Sequence, residues 1–579
     1  MKIRAIMISL LLASVCHAQS NIYINQVGFN SKGPKLALVA SASPVGNNAA
    51  FSIINSSNQN IYNGTLGSQQ QIEEWMPGKY FYPADFSSLK TTGSCRLVFK
   101  GDTSDVFTIG DNQLAALTLP AMLNYYHKQR ANTPQELGAD EHVQLFGSNK
   151  RVDLRGGWCD ASGDVSKYFS HLAYANFMSP QQIPLVTWSM LNTCETLPGM
   201  LDQLHIRDSL EHEALYGADY VYRSLSKEGY FYMTLFSYFK KDPNERRVVG
   251  LLANSVTTDQ YQCAFREGGG MGIAALARAA RWKKHGEYTQ AQYLTAAKRA
   301  FAHLLINNKK YCDDGNENII DDYCALMAAT ELWITTHNAQ YQTEARKRAK
   351  KLNSRLTSAG YFIADDGTRP YWHASDAGLP VIALCRYIAT ETDEELKLSA
   401  TQTVKKHLLY LLKVSNNGAN PFGYARQTVR VNNVIKDSYF IPHENETGWW
   451  WQGENARLAS LATAALTGSK IAFNNDEHTQ KKLKAFATQQ INWILGCNPY
   501  QTCFMYKFGR NNVPYMQSSF GHGSERGGIS NGITGKDGNA DGSGIDFKRE
   551  AGGNEWRWTE QWIPHAAWFM QAIAALSAQ

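Results

Sequence analysis

The chain has 579 residues, a net charge of +6 and 44% hydrophobic residues. The length exceeds that of one ordinary domain, and the apolar content suffices for a large core. Charges of both signs are interspersed without a basic block, which excludes a nucleic-acid partner, and no stretch beyond the N-terminus is apolar enough for a membrane span.

Lys2 and Arg4 precede an apolar run over residues 5–15, and Cys16-His17-Ala18 ends in a small residue. This pattern predicts a signal peptide over residues 1–18, cleaved near Ala18, and a secreted or periplasmic protein. Cys16 raises a lipoprotein reading, but Val15 before it fits that reading poorly. Removing Cys16 from the ten cysteines leaves nine, scattered without C-x-x-C pairs. That is neither a disulfide framework nor a zinc ribbon. Cys324 and Cys385 fall on apolar helical patterns and read as small buried hydrophobes.

Residues 19–110 read as a small β-sandwich that supports the rest of the chain. Ile22-Tyr23-Ile24 leads into a turn at Gly28, and strand-like runs follow at 36–40, 51–54, 80–82 and 95–99, separated by Gly, Asn, Ser and Pro. From Asn112 the period becomes helical. Leu210, Ala214, Leu215, Ala218, Val221, Tyr222 and Leu225 form one stripe; Leu294, Ala297, Phe301, Leu304 and Leu305 form another. Similar stripes lie at 271–282, 325–334, 379–388, 396–412, 455–466 and 483–495. Roughly a dozen helices without strands predict a helical toroid over residues 112–579.

Four stretches carry unusual chemistry. In G-G-W-C-D-A-S-G-D-V-S-K-Y at 156–168, Asp160 and Asp164 flank a short glycine-containing loop. Two carboxylates this close can hold and activate a water, and their repulsion raises one pKa; the alternative is a turn in which they bond nearby backbone. Near the C-terminus Glu555 and Glu560 sit among Trp556, Trp558 and Trp562, and Pro564 opens a helix that is apolar almost all round. Desolvation raises such an acid's pKa while the helix N-terminus opposes the rise, so the glutamate is a general acid or a helix cap. At 441–457, Glu444, Glu446 and Glu454 surround Trp449, Trp450 and Trp451. Aromatic platforms suit a pyranose ring and acids suit a cationic amino group; a helix start with core tryptophans is the alternative. Arg266, Glu267, His373 and Asp376 lie at loop-to-helix junctions, where they face a cleft or cap helices. Finally, Asp537-x-Asn539-x-Asp541 has the opening spacing of a calcium loop, but Lys548 stands where the chelating glutamate belongs. It reads as a structural calcium site or as a polar surface loop.

Taken in order, these stretches resemble glycoside hydrolase family 9, the cellulase family built on an (α/α)6 barrel. G-G-W-x-D-A-(S)-G-D-x-x-K-Y resembles its signature. N-I-Y-I-N-Q-V-G-F at 21–29 resembles the opening of the immunoglobulin-like domain that often precedes that barrel. Leu495-Gly496-Cys497-Asn498-Pro499 and Phe508-Gly509-Arg510-Asn511-Asn512 resemble a characteristic late loop. Thr559-Glu560 with Trp562-Ile563 and the Ala-rich helix resembles the closing acid motif. The resemblance implies a mostly α fold, an (α/α)6 barrel preceded by a small immunoglobulin-like β-sandwich. It implies inverting hydrolysis of β-1,4-linked oligo- or polysaccharides in the cellulase manner, with no cofactor required. Asp164 would be the general base, Asp160 would help position the water, and Glu560 rather than Glu555 would be the acid.

The chain also departs from the family. Ser162 is an insertion into the usual D-A-G-D. The histidine pair and arginine that hold the sugar are absent, and residues 518–526 take their place with His522 and Arg526 as substitutes. These departures, with the acids around Trp449–Trp451, keep open an exo-β-glucosaminidase on chitosan-type oligosaccharides. A non-catalytic glycan-binding protein is the third reading, against which retention of all three carboxylates argues.

Overall fold

The computed structural model describes residues 20–46, 48–171, 178–237, 245–252, 256–445, 448–449, 453–515, 517–518, 520–549 and 555–578. The predicted signal peptide therefore lies outside the described residues.

Alternating apolar residues build two sheets at the N-terminus. The strands are β1 (Asn21–Tyr23), β2 (Gly28–Asn30), β3 (Leu36–Ser41), β4 (Ala50–Asn55), β5 (Asn60–Thr65), β6 (Tyr80–Asp85), β7 (Gly93–Phe99), β8 (Asp102–Thr103) and β9 (Phe107–Gly110). One sheet has the order β1-β3-β6, the other β2-β9-β7-β4-β5 with β8 beside β7. Ile22, Val39 and Tyr82 from the first sheet pack on Phe29, Phe51, Leu97 and Phe107 from the second. Each such side chain contributes about 1.5–3 kcal/mol when fully buried. The turn expected at Gly28 falls just before it. Asn25 Oδ1 accepts from the N–H groups of Val27 and Gly28, and Gly28 then opens a strand parallel to β9.

Among the described residues, fifteen α-helices follow: α1 (Gln113–Lys128), α2 (Pro134–Asp140), α3 (Ile183–Thr196), α4 (Pro198–Gln203), α5 (Arg207–Arg223), α6 (Gly270–Ala279), α7 (Gln290–Tyr311), α8 (Ile319–Thr336), α9 (Ala339–Ser354), α10 (Leu379–Ile388), α11 (Glu394–Ser415), α12 (Glu454–Ala472), α13 (Glu477–Ile494), α14 (Trp556–Thr559) and α15 (Ile563–Ser577). Six of them close a ring: α3 packs on α6, α6 on α8, α8 on α10, α10 on α12, α12 on α15, and α15 on α3. Outside it, α5, α7, α9, α11 and α13 pack on the inner helices, and α1 packs on α15. The sequence encodes the two layers. Inner α8 buries every residue from Ile319 to Trp333, whereas outer α9 buries only Tyr341, Ala345, Arg348, Ala349 and Leu352, one stripe at helical spacing. This is an (α/α)6 barrel.

Two expectations need correcting. Leu305 does not join the α7 stripe; it is 38% exposed, and Tyr293, Ala296 and Ala300 are buried instead. The helical region also contains strands. β10 (Val143–Leu145), β11 (Arg151–Val152), β12 (Lys167–Tyr168), β13 (Thr234–Phe236), β14 (Arg247–Leu252) and β15 (Val256–Thr258) form one sheet, and β16 (Gln427–Val431) pairs with β17 (Val434–Ser438) as a hairpin. Their segments are too short for an alternation signal, and their partners lie far away in sequence.

The sandwich abuts the C-terminal end of α13. Asn25 Nδ2 donates to Asn492 Oδ1 at 3.0 Å, and Gln26 N–H donates to Leu495 O at 2.9 Å. Among the described residues the nine cysteines are free and buried, Cys324 and Cys385 within inner helices as expected. Among the described residues, no helix is long and apolar enough to cross a membrane.

Candidate active site

The loop that carries Asp160 and Asp164 is held from below by residues of the same signature. Trp158 is fully buried and its indole N–H donates to Glu213 at 2.8 Å. Gly157 sits at φ +73°, and a Cβ there would meet the Tyr220 ring at 2.7 Å, so glycine is required. Lys167, also buried, donates to Leu154 O at 2.6 Å and Gly156 O at 2.7 Å and pairs with Asp140 at 2.7 Å. Between these anchors the chain makes a tight hairpin. Asp164 N–H donates to Ala161 O at 3.2 Å, Ala161 N–H donates back to Asp164 O at 3.4 Å, and Ser162-Gly163 form the tip with Gly163 at φ +87°.

The hairpin docks along the segment that follows Glu560. Ala161 bridges Trp562, Ser162 N–H donates to Gln561 O at 3.0 Å, and Ile563 N–H donates to Asp160 O at 3.1 Å. The Trp562 indole donates to Asp160 Oδ1 at 2.9 Å. Asp160, Asp164 and Glu560 thus come together from opposite ends of the chain. Asp160 is 2% exposed, while Asp164 and Glu560 each keep part of their surface open to solvent.

Burial and the neighbouring charge of Asp164 push Asp160 well above the usual carboxylate range, with the Trp562 and Gln182 hydrogen bonds opposing. Burial and the charges of both aspartates push Glu560 well up, with Asn531 opposing. Asp164 is also raised by burial, but the Ser166 N–H at 2.8 Å, the Ser237 hydroxyl at 3.4 Å and the Arg246 charge all favour its anion. At Glu560 desolvation raises the carboxyl, the direction a general acid requires. Glu560 does not cap α15, whose N-terminus has no side-chain cap. Glu555 instead faces Arg557 at 3.4 Å.

Around these acids lie residues that the sequence did not single out. His171 Nε2 lies 4.0 Å from Asp160 Oδ2, and its ring meets Trp562 edge-on at 5.8 Å. Burial lowers its pKa to about 3, so it is neutral. His565 is likewise held near 3 by burial and pairs with Asn531 Oδ1 at 2.7 Å. Asn531 N–H in turn donates to Glu560 O at 3.0 Å. His171 and Asn531 stand outside any motif; Trp562 and His565 lay in the stretch around Glu560 that carried a visible signal.

The profile of glycosyl hydrolase family 9 matches residues 116–541 of the chain. The chain belongs to this family. Residues 17–104 match the cellulase N-terminal ig-like domain. A metagenome-derived family 9 endoglucanase superposes with a TM-score of 0.68 at 17% identity, covering 97% of this chain and 99% of that one. A single-site mutant of a thermostable endoglucanase from Alicyclobacillus acidocaldarius gives 0.68 at 16%, covering 96% and 99%. A cellodextrinase from Butyrivibrio fibrisolvens is 26% identical over 157 residues, which is 25% of this chain and 27% of that relative's length.

Within this family 9 chain, the other expected binding residues divide. Glu444 and Trp449 are exposed and face each other across a short strand pair, and Trp449 is 45% exposed with its ring 6.2 Å from His443. Glu446, Trp450 and Trp451 lie outside the described residues. Glu454 is buried and committed to Arg457 at 2.7 Å, the Tyr424 hydroxyl at 2.6 Å and Ile441 N–H at 3.1 Å, so it offers nothing to a sugar. His522 does not substitute for the missing histidine pair. It is 6% exposed, its Nδ1 faces Lys128 O at 3.0 Å and its Nε2 faces Glu136 Oε1 at 2.7 Å. Arg526 is exposed and lies 4.6 Å over the Phe508 ring. Glu267 accepts from Ala264 N–H at 2.9 Å, Arg266 pairs with Asp321 at 2.8 Å, and His373 Nδ1 accepts from Ser375 and Asp376 N–H. Asp376 holds Gln181 N–H and the Trp568 indole, each at 2.8 Å. These four act as caps and braces.

Two places bear on metals. Glu136, Cys159 and His522 bring ligand atoms within 4.8 Å of one another. There Glu136 Oε1 takes both the thiol and the imidazole, and although burial opposes it, the His522 and Thr133 hydrogen bonds hold the Glu136 carboxyl down to about 2. In the candidate calcium loop, Lys548 pairs with Asp537 and Lys436 with Asp541, while Asn539 donates to Ser543. Two ammonium groups already supply the positive charge, so the residues present do not fit calcium.

Proposed function

We propose that the protein is an inverting glycoside hydrolase that cleaves β-1,4-linked glucan. The observation that carries this reading is the meeting of Asp160, Asp164 and Glu560, with Glu560 pushed up by burial and by both aspartates. Asp164, the acid best supplied with donors to its anion, serves as general base. Asp160 helps to hold the water. In the reaction the water oxygen bonds to the anomeric carbon and its proton passes to Asp164. The glycosidic bond breaks on the opposite face, and the Glu560 proton passes to the leaving oxygen. Inversion requires base and acid about 6.5–9.5 Å apart, leaving room for the water.

Membership of family 9 supports a β-1,4-glucan as substrate. The amino-sugar reading loses support because Glu454 spends its charge on Arg457. Incubation with cellotetraose and, separately, chitosan tetramer tests this. The expected result is shorter cellodextrins from the first and little product from the second. Cleavage of the chitosan tetramer alone would overturn the substrate assignment, and no product from either would favour a binding protein.

A further inference from the structure

We propose that Ser162 is a positioning residue that sets the acid against the base, an inference that rests on the roles proposed above. Ser162 is completely buried and cannot touch a sugar. It stands at the tip of the hairpin that carries Asp160 and Asp164, and it grips the residue next to Glu560 twice. Its N–H donates to Gln561 O at 3.0 Å, and its Oγ accepts the Gln561 N–H at 2.8 Å. Gln561 is itself 1% exposed; its carbonyl and side chain have other partners, the Tyr125 hydroxyl donating to Gln561 O at 3.0 Å and Glu525 N–H to its side-chain oxygen at 2.9 Å, but its N–H is held by Ser162 Oγ.

The serine hydroxyl thus completes a two-bond clamp between the hairpin and the backbone immediately after the acid. A loop one residue shorter lacks this tip residue. The extra serine gives the hairpin a two-residue turn and aims one hydroxyl at the acid's chain. Loss of the Oγ leaves the buried Gln561 N–H without its acceptor, and relief comes by moving the segment that carries Glu560. A misplacement of about 1 Å costs on the order of 10²-fold in rate. Proton donation is the step most sensitive to that shift, because base and water stay with the hairpin.

The test compares wild type, Ser162→Ala, Ser162→Thr and Glu560→Gln on cellotetraose and on a nitrophenyl β-cellobioside, whose leaving group needs little protonation. Ser162→Ala is expected to lower kcat on cellotetraose by about 10–100-fold with KM nearly unchanged, to spare the nitrophenyl substrate more, and to shift the basic limb of the pH profile. Ser162→Thr keeps a hydroxyl and is expected to recover most of the loss; it also serves if the alanine variant does not fold. Equal losses on both substrates, or no loss in kcat, would overturn the positioning role. If Glu560→Gln itself fails to discriminate between the two substrates, the acid assignment fails instead, so the two failures are separable.

Discussion

Glu560→Gln is expected to lower kcat on cellotetraose by about 10²–10⁴-fold, the usual worth of general acid catalysis. The amide keeps the shape and cannot deliver a proton. Nitrophenyl substrates are expected to lose much less, and the basic limb of the pH profile should disappear, because that limb reports the acid. The same variant has a stability signature. Burial raises the Glu560 pKa above its ordinary 4.5 in the folded protein. Both states are protonated below that ordinary value, and as pH rises the unfolded chain ionises first, so folding loses stability through this group. Glutamine carries no such cost. Thermal melts should therefore place the variant above wild type near neutral pH, with the gap closing below about pH 4. A severe Glu555→Gln variant beside an active Glu560→Gln would show that the wrong glutamate has been chosen.

Asp164→Asn is expected to be as damaging on cellotetraose, and here the nitrophenyl substrate brings no rescue. Every substrate needs an activated water, whatever its leaving group. The asparagine would still meet the Ser166 N–H and the Ser237 hydroxyl through its carbonyl oxygen, so the fold should persist. The contrast between the two variants separates base from acid: one loss follows leaving-group pKa and the other does not. Recovery of Asp164→Asn on the nitrophenyl substrate to the level seen for Glu560→Gln would contradict the assignment.

How much of this was legible follows from where the information lies. The inner helices were readable because a helix enclosed on all sides must be apolar on all sides, as in α8 and α15. Asp160, Asp164 and Glu560 were readable because acids set among glycines and tryptophans are unfavourable choices for stability alone. What was missed depends on partners distant in sequence. His522 reads as a substitute for the sugar-holding histidine pair until Glu136, on α2, takes its ring nitrogen. His171 and Asn531 carry no motif, and only the fold brings their segments to the acids, His171 against Asp160 and Asn531 against Glu560. Glu454 is different: Arg457 stands three residues on at the start of α12, a spacing that already predicts an ion pair.

The central claim is that water attacks from the face opposite the leaving oxygen, driven by a base and an acid on separate segments. The most direct measurement is proton NMR of the first product formed from cellotetraose, recorded before mutarotation. The account predicts that the α-anomer appears first from this β-linked substrate. Initial appearance of the β-anomer would mean retention, with a carboxylate acting as nucleophile, and would contradict the roles given to Asp164 and Glu560.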